Sequence, residues 1–152
     1  MNVRPSIALS RLSASGNPEL LLMHYRYNGH DVYALPGGNP DRGETLHQTL
    51  ERELMEELGV SVVVEDELLV GGEVLIPERK EDTLHLVFSG EIIAGNPILN
   101  PAETTAVAVA WKPANELPDL NLYPNVGSYL QRWLVVYAQP AGYVGPIIQP
   151  FF

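Results

Sequence analysis

Apolar residues fall along this chain in short runs of strand character, broken by two stretches of helical period. Ile7-Ala8-Leu9 and Leu20-Leu21-Leu22-Met23-His24-Tyr25 read as two strands, joined by the turn-rich segment Ser13-Ala14-Ser15-Gly16-Asn17-Pro18. Val32-Tyr33-Ala34-Leu35 is a third, short strand, halted by Pro36-Gly37-Gly38. Beyond the loop from Asn39 to Gly43, Leu46, Leu50, Leu54 and Leu58 recur every four positions, as one stripe of a helix does. Thr45 and Gln48 make a capping box at its start, and Gly59 suits a left-handed stop after its end. Leu68 to Ile76 and Thr83 to Ile93 follow as long strands, and Thr105 to Trp111 as another. Val126, Tyr129, Leu130, Trp133, Leu134 and Tyr137 obey the i, i+3, i+4, i+7 rule and predict a final helix with core aromatics, capped by Asn125. Several strands with one helix mid-chain and one near the end predict an α/β fold in which helices cover a mixed sheet.

The chain has 152 residues and 16.7 kDa, the size of one domain, so residues 1–152 are read as a single unit. Residues 139–152 form a proline-bearing tail that either packs along the domain or contacts a second copy as a homodimer. Nine Lys+Arg against 19 Asp+Glu leave a formal charge of −10, which disfavours duplex nucleic acid as a partner. No run approaches the roughly 18 apolar residues a membrane helix requires, so no membrane partner is expected. With no cysteine, disulfides and thiolate chemistry are excluded, and any metal must be held by oxygen or imidazole. Met1-Asn2-Val3-Arg4-Pro5 opens no secretion signal, which makes the cytoplasm the expected location.

The first helix carries the candidate chemistry. At about 100° per residue, Glu53, Glu56 and Glu57 fall within an arc of roughly 100°, at the margin of the leucine stripe. Like charges at the border of a core raise each other's pKa, and a divalent cation relieves the crowding. An all-oxygen donor set fits Mg²⁺ or Mn²⁺ better than Zn²⁺. Arg52 lies one turn before Glu56 and can fix that carboxylate's rotamer. Taken alone, Glu51, Glu53, Glu56 and Glu57 would suit a solvated helix face better than a metal site. Gly37-Gly38 shifts the balance, because it lets backbone approach an ion or phosphate and leaves a carbonyl free to join the carboxylates.

From Gly38 the chain reads glycine, five residues, Glu44, seven residues, Arg52-Glu53-Leu54, one residue, Glu56-Glu57, one residue, Gly59-Val60. This segment resembles the Nudix box at every specified position. The strand order around it and the stretch from Trp111 to Pro124 are similar, less specifically, to the rest of a Nudix domain, over about Arg4 to Tyr137. The resemblance implies a Nudix-like α/β/α sandwich with a mixed central sheet. It also implies Mg²⁺- or Mn²⁺-dependent hydrolysis of a phosphoanhydride bond in a nucleoside diphosphate linked to another group. Carried over by position, it makes Glu53 and Glu57 the main metal ligands and Glu56 a further ligand or the acceptor of the water's proton. Gly38 would contribute its carbonyl, Arg52 would orient a glutamate, and Glu44, projecting opposite Glu53 and Glu57, would be structural.

Many members of the family use one more acid from outside the box; Glu103 is the first candidate for that role and Glu91 the second. The four histidines receive no ligand assignment. Arg26, Tyr27, Tyr33, Arg79 and Lys80 are the candidates for holding a base or sugar. The substrate is expected to be a small nucleotide, either a sugar nucleotide such as ADP-ribose or a (d)NTP. The alternative is a non-catalytic nucleotide-binding or sensor module of the same type.

Overall fold

The computed structural model describes residues 1–78, 81–136 and 138–150. Its elements, in chain order, are β1 (Asn2–Leu12), β2 (Pro18–Tyr27), β3 (His30–Ala34), α1 (Leu46–Leu58), β4 (Ser61–Val74) and β5 (Thr83–Ala94). They continue with β6 (Ala108–Pro113), a 3₁₀ turn (Ala114–Asp119), β7 (Leu122–Tyr123), α2 (Gly127–Val135) and β8 (Gly142–Pro146). The strands run β7-β3-β2-β1-β5-β4-β8, with β6 also paired to β2. Among the described residues, no helix is long and apolar enough to cross a membrane.

The centre of this sheet is β1, which is much longer than Ile7-Ala8-Leu9 and changes partner along its length. Residues 2–9 run parallel to β5, and residues 10–12 run antiparallel to β2. Strands in the interior of a covered sheet are apolar on both faces, and β2 shows this directly. Leu20 and Leu22 enter one core with Val126 and Leu130 of the α2 region, whereas Leu21 and Met23 enter the other with Leu50, Leu54 and Leu58 of α1. One helix therefore covers each face, which is the expected α/β/α arrangement.

Helix α1 begins and ends as its caps dictate. The Thr45 hydroxyl accepts from the Gln48 N–H at 3.1 Å, and the Gln48 side-chain Oε1 accepts from the Thr45 N–H at 2.9 Å. Gly59 closes the helix at φ 67°, donating to the Leu54 and Met55 carbonyls. Leu50, Leu54 and Leu58 have no exposed surface, and each contributes roughly 1.5–3 kcal/mol by burial.

One local expectation needs correction. The cap residue of α2 is Val126, with no side-chain capping bond. Asn125 instead donates its side-chain amide to the Ile148 carbonyl and its N–H to Gln149 Oε1, both at 2.9 Å. The tail from Gln139 returns to the sheet, its Gly142–Pro146 segment forming a strand parallel to β4. A Cβ on Gly72 would lie 2.2 Å from the Gly145 carbonyl oxygen, so a bare backbone on β4 lets the tail close in. Ile147 then reaches the core, 8% exposed. Phe151 and Phe152 lie outside the described residues.

Candidate active site

The Gly37-Gly38 turn is braced against β1: Gly38 donates its N–H to the Pro5 carbonyl at 3.3 Å, and Gly37 bridges to Ser6. Neither glycine has a positive φ. What Gly38 supplies is room, since a Cβ there would sit 2.4 Å from Glu53 Cδ and 2.5 Å from its Oε1. The Glu53 carboxyl thus lies directly against backbone.

Arg52 organises the neighbouring acids. Its Nε and Nη2 donate to the two Glu44 oxygens at 2.7 and 2.9 Å, a bidentate pair. Its Nη1 donates to Glu53 Oε1 at 2.9 Å and to Glu56 Oε2 at 3.2 Å, and Nη2 reaches the Asn39 carbonyl at 3.1 Å. Glu44 also accepts from the Asp41 N–H at 2.7 Å and the Thr49 hydroxyl at 3.1 Å. The guanidinium, followed by the Asp41 N–H, holds the Glu44 carboxyl down at about 2. Glu44 precedes the cap, so a helical projection does not apply to it, and it arrives at the same corner through the loop.

Glu53 and Glu57 differ from Glu44 because burial dominates. Desolvation raises the Glu53 carboxyl despite Arg52, and it pushes Glu57 up to about 7, with the Glu53 charge adding to the effect. Glu57 lines a cavity of about 780 Å³ shared with Tyr25, Tyr27, Glu103, Thr104 and Tyr123. Among the described residues, no three acidic or histidine side chains already converge as a metal cage. The donor set still fits a hard divalent cation: partly buried carboxylate oxygens, two of them kept proton-hungry by desolvation, beside a backbone turn cleared of side chains.

The family comparison bears on this corner of the molecule. A match to the NUDIX domain covers residues 4–133. The chain belongs to the Nudix family. Two Mycobacterium tuberculosis strains carry a protein named "Putative 8-oxo-dGTP diphosphatase 3" that is 31% identical over 121 residues, 77% of this chain and 54% of that protein. The chain thus spans about half the length of those curated relatives. Among solved structures, a UDP-X diphosphatase superposes with a TM-score of 0.69 at 18% identity, covering 94% of this chain and 66% of its own. A Caenorhabditis elegans Ap4A hydrolase gives 0.68 at 15%, covering 90% and 98%, and a Streptococcus suis ADP-ribose pyrophosphatase gives 0.63 at 17%, covering 95% and 97%. At these identities the structural matches speak for the Nudix fold.

Of the residues singled out from the sequence, Arg52, Glu53, Glu56, Glu57 and Gly38 gather at one corner, and Glu103 lines the same cavity as Glu57. Arg26 does not join them. Side chains alternate along β2, so Tyr25 and Tyr27 face the Nudix cavity, whereas Arg26 pairs with Asp31 at 2.7 Å on the other face. Tyr33 lies on that other face too, stacked with His24. Glu91 lies beside Arg11 and Trp111, apart from the cavity. Arg79 and Lys80 are outside the described residues. Sequence reasoning missed Arg4, Tyr25 and Tyr123, which line the cavity from β1, β2 and β7. No spacing marks them, because only the sheet brings them together.

Proposed function

We propose that this Nudix protein hydrolyses a phosphoanhydride bond in a nucleoside diphosphate linked to a second group. The observation that carries the reading is Glu57, held up near 7 by burial at the wall of the cavity and by the charge of Glu53, whose own carboxyl lies against Gly38. Mg²⁺ or Mn²⁺ held by Glu53 and Glu57, with Glu56 and the Gly38 carbonyl as further donors, would neutralise diphosphate charge and supply a water of lowered pKa. The chain's own residues do the positioning. Arg52, anchored by Glu44, fixes the rotamers of Glu53 and Glu56, so the acids are set before substrate arrives. In the net reaction a water oxygen bonds to phosphorus, the bridging P–O bond breaks, and the water gives up a proton. Glu56 or Glu103 accepts that proton. Substituting each in turn by glutamine tells them apart, since the base variant loses the alkaline plateau of kcat.

The substrate is a small nucleotide, a sugar nucleotide such as ADP-ribose or a (d)NTP. The names of the relatives support this class, since they span an oxidised nucleoside triphosphate, a sugar nucleotide and a dinucleoside polyphosphate. The test is product release from a panel of such nucleotides with Mg²⁺. Turnover by the wild type, lost about 10²–10³-fold in Glu53→Gln, supports the reading. A wild type that binds nucleotides without cleaving any of them would instead be a sensor module.

A further inference from the structure

Arg4 is the one Lys or Arg among the described residues lining the cavity, in a chain of formal charge −10. Its Nη1 is buried and has no hydrogen-bond partner among the described residues. The guanidinium carbon lies 5.5 Å from the centre of the Tyr123 ring. Tyr123 is held in turn by the buried His85 ring, edge-on at 4.9 Å, and His85 is the cross-strand neighbour of Arg4 in the β1–β5 register. The charge of Arg4 is felt at both Glu53 and Glu57, yet it is ion-paired to neither among the described residues. A buried guanidinium donor left unmade is costly, and its fork matches phosphoryl oxygens better than any neutral acceptor.

We infer that Arg4 is a substrate-binding residue whose guanidinium, lining the cavity and ion-paired to no acid among the described residues, donates to a phosphoryl oxygen of the bound nucleotide. The inference rests on the hydrolysis reading above for the placement of the diphosphate near Glu53 and Glu57. The Tyr123 ring lies beside the guanidinium, and both residues line the cavity. Arg4 supplies attraction where the acids cannot, so it tightens substrate binding while the P–O cleavage itself depends on the box.

The test compares the full chain as wild type, Arg4→Met and Arg4→Lys. Calorimetric titration with inorganic tripolyphosphate in Mg²⁺ is expected to show affinity weakened about ten- to a hundred-fold in Arg4→Met, and partly restored in Arg4→Lys. KM for a cleaved nucleotide should rise by the same factor, with kcat changed less than about threefold. Affinity for the parent nucleoside, which lacks phosphate, should be unchanged. Equal tripolyphosphate affinity in all three proteins, including no binding by any of them, overturns the inference, as does an equal loss for the nucleoside. If Arg4→Met also lowers Tm, the lysine variant decides: recovered phosphate affinity upholds the assignment, and none overturns it. A wild type that binds tripolyphosphate but cleaves no nucleotide removes the hydrolysis reading, and Arg4 is then judged on the affinity ratio alone.

Discussion

Replacing Glu57 by glutamine should stabilise the metal-free protein, and the gain should depend on pH. The wild-type carboxyl sits at about 7 in the fold against 4.5 for the free group, with burial as the main cause and the Glu53 charge second. The folded state therefore holds the proton more tightly than the unfolded chain, and charging the group costs stability as pH rises through this window. At about pH 8 the full displacement corresponds to about 3 kcal/mol, which water reaching the part-exposed carboxyl reduces to about 1–2 kcal/mol. Glutamine keeps the shape and removes the charge. For a chain of this size, Glu57→Gln should raise Tm by about 2–8 °C near pH 8 and by little below about pH 4.5. Thermal unfolding in EDTA across that pH range measures the difference. Saturating Mg²⁺ should then reverse the order, because a cation that binds only the wild-type fold stabilises it by mass action. A Tm difference that is flat with pH, or a variant less stable at pH 8, would refute the reasoning.

Four further outcomes follow. Glu44→Gln removes a carboxyl held at about 2, whose stabilisation is full above about 4.5 and lost as pH falls toward 2. The variant should melt below wild type at pH 7, with the gap closing in acid, and its kcat should fall about 10–100-fold as Arg52 loses its anchor. Gly38→Ala puts a Cβ 2.4 Å from Glu53 Cδ, so kcat should drop while circular dichroism stays native. Leu54→Ala, at a fully buried stripe position, should cost about 2–5 kcal/mol in urea unfolding. Gly72→Val should detach β8, read as faster amide exchange from Gly142 to Pro146, since its side chain would overlap the Gly145 carbonyl.

Helix α1 was legible because every local signal agreed: the leucine period, the Thr45 and Gln48 box and the Gly59 stop all point to the same boundaries. The acidic corner was legible for the same reason, being nearly all within one short segment. Asn125 misled because a capping residue type is only available for capping if nothing else claims it, and the returning tail does. Strand β8 carries no period-two pattern; Gly142 and Gly145 both adopt positive φ, and its place is set by the glycine opposite it on β4. Arg26 and Tyr27 were equal candidates until the register of β2 was known, since one strand face cannot present both. Arg4 was invisible as a site residue because its neighbours, Tyr123 and Glu57, are remote in the chain.

The partner exchange along β1 sets the order in which a nascent chain can fold. Asn2 pairs with Thr83 and Leu9 with Gly90, so β1 leaves the ribosome with no parallel partner until β5 has emerged. The β2 and β3 hairpin closes locally and early, whereas the parallel pairing must wait for a long loop to close. Arg4 and the Ser6 brace of the Gly37-Gly38 turn both belong to that waiting strand. On a translating ribosome the reactive corner thus waits for the chain to extend past Thr83 before β1 can take its place beside β5.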